Sequence, residues 1–207
     1  MGRAKPRNRN VNRSDPISKP IKPPSDPELA AIREKTILPV LKDLQSAELK
    51  TRSQAATAIR NIIEDQKCRK LLLREQIVRV LFDRTLTDSN LETKAAGWSI
   101  LSCLAEHEEA DFCVHLYRQD VLTALEAVIK IVIQTIESKD TPLSKLSQAQ
   151  KSVLWNISTS IVTLLTSLAE AQDEIVQAIT KQSIFGNFLF GLLATEAVPV
   201  EIQSEAT

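Results

Sequence analysis

The chain has 207 residues, 43% hydrophobic and 25% charged, which suits one ordinary globular domain or a segment of something longer. Only 4 glycines leave little for hairpin turns, phosphate-cradling loops or dinucleotide turns, and 4% aromatic content argues against stacked-aromatic platforms for single-stranded nucleic acid. The zero net charge is lopsided: residues 1–27 carry seven Lys/Arg and two Asp (+5), and residues 28–207 nineteen Lys/Arg against twenty-four Asp/Glu (−5).

Six of the nine prolines fall in the first 27 residues, where Val11, Ile17 and Ile21 are the sizeable apolar side chains. So little burial cannot offset the entropy of ordering, and the stretch is expected to be a disordered basic tail ending near Pro27. Within it Arg3, Lys5, Arg7 and Arg9 form a basic cluster, followed by Arg13-Ser14-Asp15-Pro16-Ile17. A mobile cationic segment with proline pre-set to extended geometry suits an acidic superhelical groove; a generic RNA-attracting tail is the alternative. Pro6 stands where a myristoylation signal needs Ser or Thr.

From residue 28 onward leucine and alanine recur at helical spacing, and the pattern repeats. Residues 52–65 (RSQAATAIRNIIED) align with 93–106 (TKAAGWSILSCLAE), and 164–170 (LLTSLAE) echo the end of both, at offsets of 41 and 64. A second register (Ile37, Ile77, Val121, Ile184) repeats at 40, 44 and 63. These are armadillo/HEAT periods, with the excess in the last interval matching a polar insertion near 137–151. The expectation is an all-α, right-handed armadillo/HEAT-type solenoid. It would hold about three repeats in 28–207, with concave helices near 52–65, 93–106 and 152–170, and be truncated at the C-terminus, where 199–206 would open a further repeat. The uncharged run 152–169 holds eight Ser, Thr or Asn, so it reads as a buried solenoid helix rather than a membrane span.

At 100° per residue, Trp98 and Trp155 lie opposite the apolar stripes around Ile100 and Leu164. Outward aromatics on concave helices suit anchoring an extended peptide; packing against a neighbouring repeat is the alternative. Asn61, Ser102 and Thr166, polar and in the same phase, would bond its backbone. In the importin-alpha branch of armadillo proteins the concave helix carries Trp followed four residues later by Asn. This chain is similar but scattered, with Thr57 and Asn61, Trp98 and Ser102, Val162 and Thr166.

Cys103, His107, Cys113 and His115 follow no known zinc-finger spacing, and Cys103 falls in the apolar phase, so it reads as a core thiol and no metal is expected. No nucleophile–base pair marks catalysis, and no cofactor is implied. The cluster Glu106, Glu108, Glu109 and Asp111 reads as a solvated loop or an attraction for a basic partner. Three cysteines without an apolar leader suit a reduced, intracellular compartment.

The tail resembles the proline-tyrosine nuclear localisation signal of transportin-type import receptors, with Arg3, Lys5, Arg7, Arg9, Arg13, Pro16 and Ile17 in the motif and Ile17 in place of tyrosine. The whole chain resembles the symportin (synchronized import) family through MGRAKPRNRN at the start, RKLLLRE at 69–75, LTDSNLE at 86–92 and DFCVHLYRQD at 111–120. The resemblance implies a non-enzymatic adaptor shuttling between cytoplasm and nucleus. It would bind transportin by its tail, clasp an extended peptide of large-subunit ribosomal protein five, and co-import ribosomal protein eleven, both of which accompany 5S ribosomal RNA. The alternatives are a ribosome-assembly factor whose tail binds RNA, and a generic armadillo peptide scaffold.

Overall fold

The computed structural model describes residues 24–137, 143–195 and 198–206. The expected disorder and import motif of the tail, through residue 23, lie outside the described residues, as do residues 138–142 of the expected insertion. The described residues are helical, with no strand among them. The helices are α1 (Pro27–Ile32), α2 (Leu38–Leu44), α3 (Leu49–Ile62), α4 (Gln66–Arg74), α5 (Ile77–Val80) and α6 (Leu91–His107). They continue as α7 (Ala110–Arg118), α8 (Val121–Ile136), α9 (Gln148–Ala171), α10 (Asp173–Thr180), α11 (Ser183–Ala194) and α12 (Val200–Glu205). They group by position as α1–α3, α4–α6, α7–α9 and α10–α12, here called the first to fourth repeats. In the second and third, a short helix is followed at a tight corner by another, and then by a long third helix. This is an all-α solenoid.

Local chemistry sets the boundaries. Asp26 caps α1 by accepting from the Glu28 N–H, and Pro27 occupies the first helical position, where a missing N–H costs nothing. The helix therefore starts at the residue where the tail was expected to end. Pro39 sits inside the next helix and its ring would collide with the carbonyl four residues back. The preceding turn, Arg33–Ile37, widens to π geometry, with the Leu38 N–H reaching the Arg33 carbonyl. Asp65 caps α4, Asn90 caps α6, and Ser147 with Gln150 forms a reciprocal capping box on α9. The corners after α4 and α7 each place one residue in the left-handed region, Gln76 (φ 60) and Asp120 (φ 62).

The third helices stack. N-terminal residues of α6 and α9 line one cleft, Arg52 near the start of α3 pairs with Asp88 just before α6, and α6 packs between α3 and α9. The three therefore run parallel. Close approach is purchased at Gly97, where an added Cβ would lie 2.9 Å from the Thr85 side chain. One continuous core runs through the stack, from Ile37 and Ile59 through Ile100 and Leu104 to Leu164, Phe185 and Phe188. Helix α9, long and apolar enough to raise the membrane question, buries half of its most apolar stretch and packs on α6, α7, α10 and α12. It begins at Gln148, ahead of the expected 152.

Candidate peptide-binding groove

Helix α6 has neighbours on both sides and the shorter helices behind it, so one narrow line is left to solvent. That line is Glu92, Ala96, Ser99, Cys103 and Glu106, at spacings of four, three, four and three. On α3 the corresponding exposed line is Lys50, Gln54, Thr57 and Asn61, continued just past the helix by Glu64, and on α9 it is Ser152, Asn156, Thr159, Thr163, Thr166 and Glu170. The lines converge on a cavity of about 230 Å³ whose walls include Arg60 and Glu64, Ser99, Cys103, Glu106 and His107, and Asn156, Thr159 and Thr163. The floor is rich in hydroxyls, with the Asn156 amide among them and no Trp, Tyr or Phe.

This geometry corrects the expected site in one specific way. The first leucines of α3 and α6, Leu49 and Leu91, and the half-buried Arg52 and buried Lys94 match at an offset of 42, not 41. One residue turns a helix by about 100°. The α6 counterparts of Thr57 and Asn61 are therefore Ser99 and Cys103, and not Trp98 and Ser102. Trp98 is fully buried rather than outward, and its indole N–H is a buried donor without a partner among the described residues. Ser102 is mostly buried, its hydroxyl donating to the Ser99 carbonyl at 3.1 Å, yet it still lines the cavity beside Ser99. A position opposite the strongest apolar stripe is not exposed when helices close in from both flanks.

The other expected groove residues fall differently. Asn61 and Thr166 are exposed on the concave lines, with the Thr166 hydroxyl bonded back to the Val162 carbonyl. Trp155 is half-buried against the core, one residue off the line that Asn156 continues. Arg3, Lys5, Arg7, Arg9, Arg13, Pro16 and Ile17 lie outside the described residues.

Cys103 is likewise corrected: it is half-exposed in the groove rather than a core thiol, and its Sγ lies 3.9 Å from His107 Nδ1. Burial, with Glu64 and Glu106 nearby, pushes its thiol pKa up against the opposing pull of Arg69. Cys113 is the buried one, its Sγ against the Ala105 carbonyl at 3.8 Å, while His115 is exposed and bonds Gln119. The four side chains do not converge, and no other metal-holding cluster occurs among the described residues. Of the acidic cluster, Glu108 pairs with Arg69 at 2.9 Å and Glu106 lines the groove; Glu109 and Asp111 are exposed. Sequence reasoning missed Ser99, Thr159 and Thr163. Their signal was the run of small polar residues at spacings of three and four on otherwise apolar helices.

No family model matches the chain. It is 54% identical over all 207 residues to "Symportin 1" of Chaetomium thermophilum, and covers 30% of that protein. It is 32% identical over 214 aligned positions to the "Armadillo repeat protein involved in nucleocytoplasmic transport Syo2" of Schizosaccharomyces pombe, covering 32% of it. Over 192 residues, 88% of the chain, it is 25% identical to "Synchronized import protein 1" of Saccharomyces cerevisiae, covering 31% of it. The chain thus spans about a third of the length of these curated relatives. With matches running along the whole chain, and an all-α solenoid to go with the armadillo-repeat relative, the segment belongs to the symportin family.

Proposed function

We propose that the chain is the peptide-holding part of a non-enzymatic nucleocytoplasmic transport adaptor. An extended basic segment of a cargo protein lies across α3, α6 and α9. The observation that supports this reading most directly is the groove itself: three parallel helices each leave one polar line open, and the lines meet in a single cavity. Hydroxyls and amides there can bond a peptide backbone irrespective of its sequence, and the net charge of −5 over residues 28–207 favours a basic ligand. Among the expected contacts, Asn61, Ser102, Thr166 and the half-buried Trp155 stay in the proposal, joined by Ser99, Thr159 and Thr163. Two relatives carry import or nucleocytoplasmic transport in their names, which supports shuttling between cytoplasm and nucleus and an import receptor as partner. In this reading residues 1–27 engage a transportin-type receptor through Arg13, Pro16 and Ile17. The cargo is that implied by the family resemblance, large-subunit ribosomal proteins five and eleven.

The test blocks the groove without touching the core. Ser99→Arg with Thr159→Arg should lower the affinity for a basic peptide from ribosomal protein five at least tenfold, with the melting temperature nearly unchanged. In the unaltered chain the same peptide should protect Cys103 from alkylation but leave Cys68, at the start of α4, reactive. Full peptide affinity in the double variant would end this reading. The tail is tested separately: Pro16→Ala with Ile17→Ala should abolish receptor binding. RNA affinity, which depends on charge and salt, should stay almost unchanged.

A further inference from the structure

The groove is asymmetric along its helices. Glu64 follows the last turn of α3 and Glu106 lies in the last turn of α6, and both are exposed cavity-lining residues. Their carboxylates have no cation within salt-bridge distance among the described residues, whereas neighbouring Glu108 is held by Arg69. Both act on the pKa of Cys103, which lies between them. Helices α3 and α6 also present their C-terminal carbonyl ends at this edge, adding negative potential to the two carboxylates. At the opposite edge stand the helix N-termini, with exposed Leu49 and Leu91 beside Lys50 and Glu92. Arg60 and His107 line the cavity as well, and Arg60 is the one permanent cation there.

We infer that this edge reads its cargo one-sidedly, Glu64 and Glu106 each taking a cationic side chain from alternate residues of the extended peptide. The inference rests on the peptide-groove reading and adds to it a specificity rule. An extended chain sends successive side chains to opposite edges, so only residues two apart reach the same one. Two residues advance about 6.7 Å, close to the about 8–10 Å between packed helix axes, which shortens on a concave face. Two Lys or Arg placed two residues apart fit; an adjacent pair sends one of its charges to the wrong edge. Arg60 opposes the cations and sets an upper limit on affinity.

Two fluorescent octapeptides of equal composition test this, each of six serines and two lysines, with the lysines placed two apart in one and adjacent in the other. At about 50 mM salt the peptide with lysines two apart should bind about twofold to fivefold more tightly, since it makes one more ion pair and a pair at an exposed site contributes modestly. Glu64→Gln with Glu106→Gln should erase the preference, Glu92→Gln at the other end of α6 should preserve it, and Arg60→Gln should tighten both peptides. Equal binding of the two peptides, or a preference that survives the double glutamine variant, overturns the inference and leaves the groove reading standing. If neither peptide binds the unaltered chain, both fall.

Discussion

Between the first and second repeats, Arg33 pairs with Glu75 at 2.6 Å, Arg52 with Asp88 at 2.9 Å and Lys67 with Glu28 at 2.8 Å. Arg69 carries the same device to the start of the third repeat by pairing with Glu108. These partners stand 42, 36, 39 and 39 residues apart, about one repeat each. Between the third and fourth repeats no ion pair occurs among the described residues; Phe185, Phe188, Leu192 and Ile175 are buried instead. One structural position shows the change. The fourth residue of the leading helix is Arg69 in α4, Cys113 in α7 and Val176 in α10. Arg69 Nη1 donates to the Ile63 and Glu64 carbonyls at the end of α3, and Cys113 makes a long contact to the Ala105 carbonyl at the end of α6. Half-buried Val176 has no polar atom to offer in its side chain. Charged staples hold the stack in one register because a slipped repeat would strand them unpaired. Apolar contacts tolerate more sliding.

This contrast predicts different sensitivities at the two ends. Phe188→Ala, in the apolar junction, should cost the most, about 3–5 kcal/mol, and the loss should hardly vary with salt or pH. Urea melts at low and high ionic strength check this, and a strong salt dependence would contradict an apolar junction. Arg69→Ala should cost about 2–3 kcal/mol, because it strands Glu108 and two helix-end carbonyls in a mostly buried site. Cys113→Ala, at the equivalent place, should cost visibly less, and equal losses would refute the gradient.

Asp88→Asn should cost about 1–2 kcal/mol at neutral pH and remove an acid sensitivity. Burial by itself raises the Asp88 pKa, but the Arg52 guanidinium and the Asn90 N–H outweigh it and hold the carboxyl below its ordinary value. A carboxylate depressed on folding lends stability above its unfolded pKa, about 3.9, and withdraws it as pH falls through the lower folded value. The melting temperature of the unaltered chain should therefore fall more steeply below about pH 4 than that of the variant. Parallel curves would show that Asp88 is not the group responsible. The smallest effect concerns the corners. Gln76→Gly relieves a left-handed residue and should add about 0.5 kcal/mol, whereas Gln182→Gly, where φ is −99, should lose a similar amount.

Helical character and the approximate repeat were written in the sequence, since each follows from local spacing. Of the stripe Ala55, Ala58, Ile59, Ile62 and Ile63, the helical period is met by burial at Ala55, Ile59 and Ile63 and half-burial at Ile62, whereas Ala58 is exposed. The start of α1 was legible to within a residue, because proline and a capping aspartate act on their own turn. The exposed face of α6 was not. Matching apolar residues fixes a repeat to within one position, and one position is about 100° of helix, enough to exchange Ser99 and Cys103 for Trp98 and Ser102. Which of these sees solvent depends on α3 and α9 closing over the flanks of α6, contacts between residues some forty to sixty positions apart. The pairing of Arg52 with Asp88 and of Arg69 with Glu108 was hidden for the same reason: composition counts the charges, and only the stacking of one repeat on the next decides which of them meet.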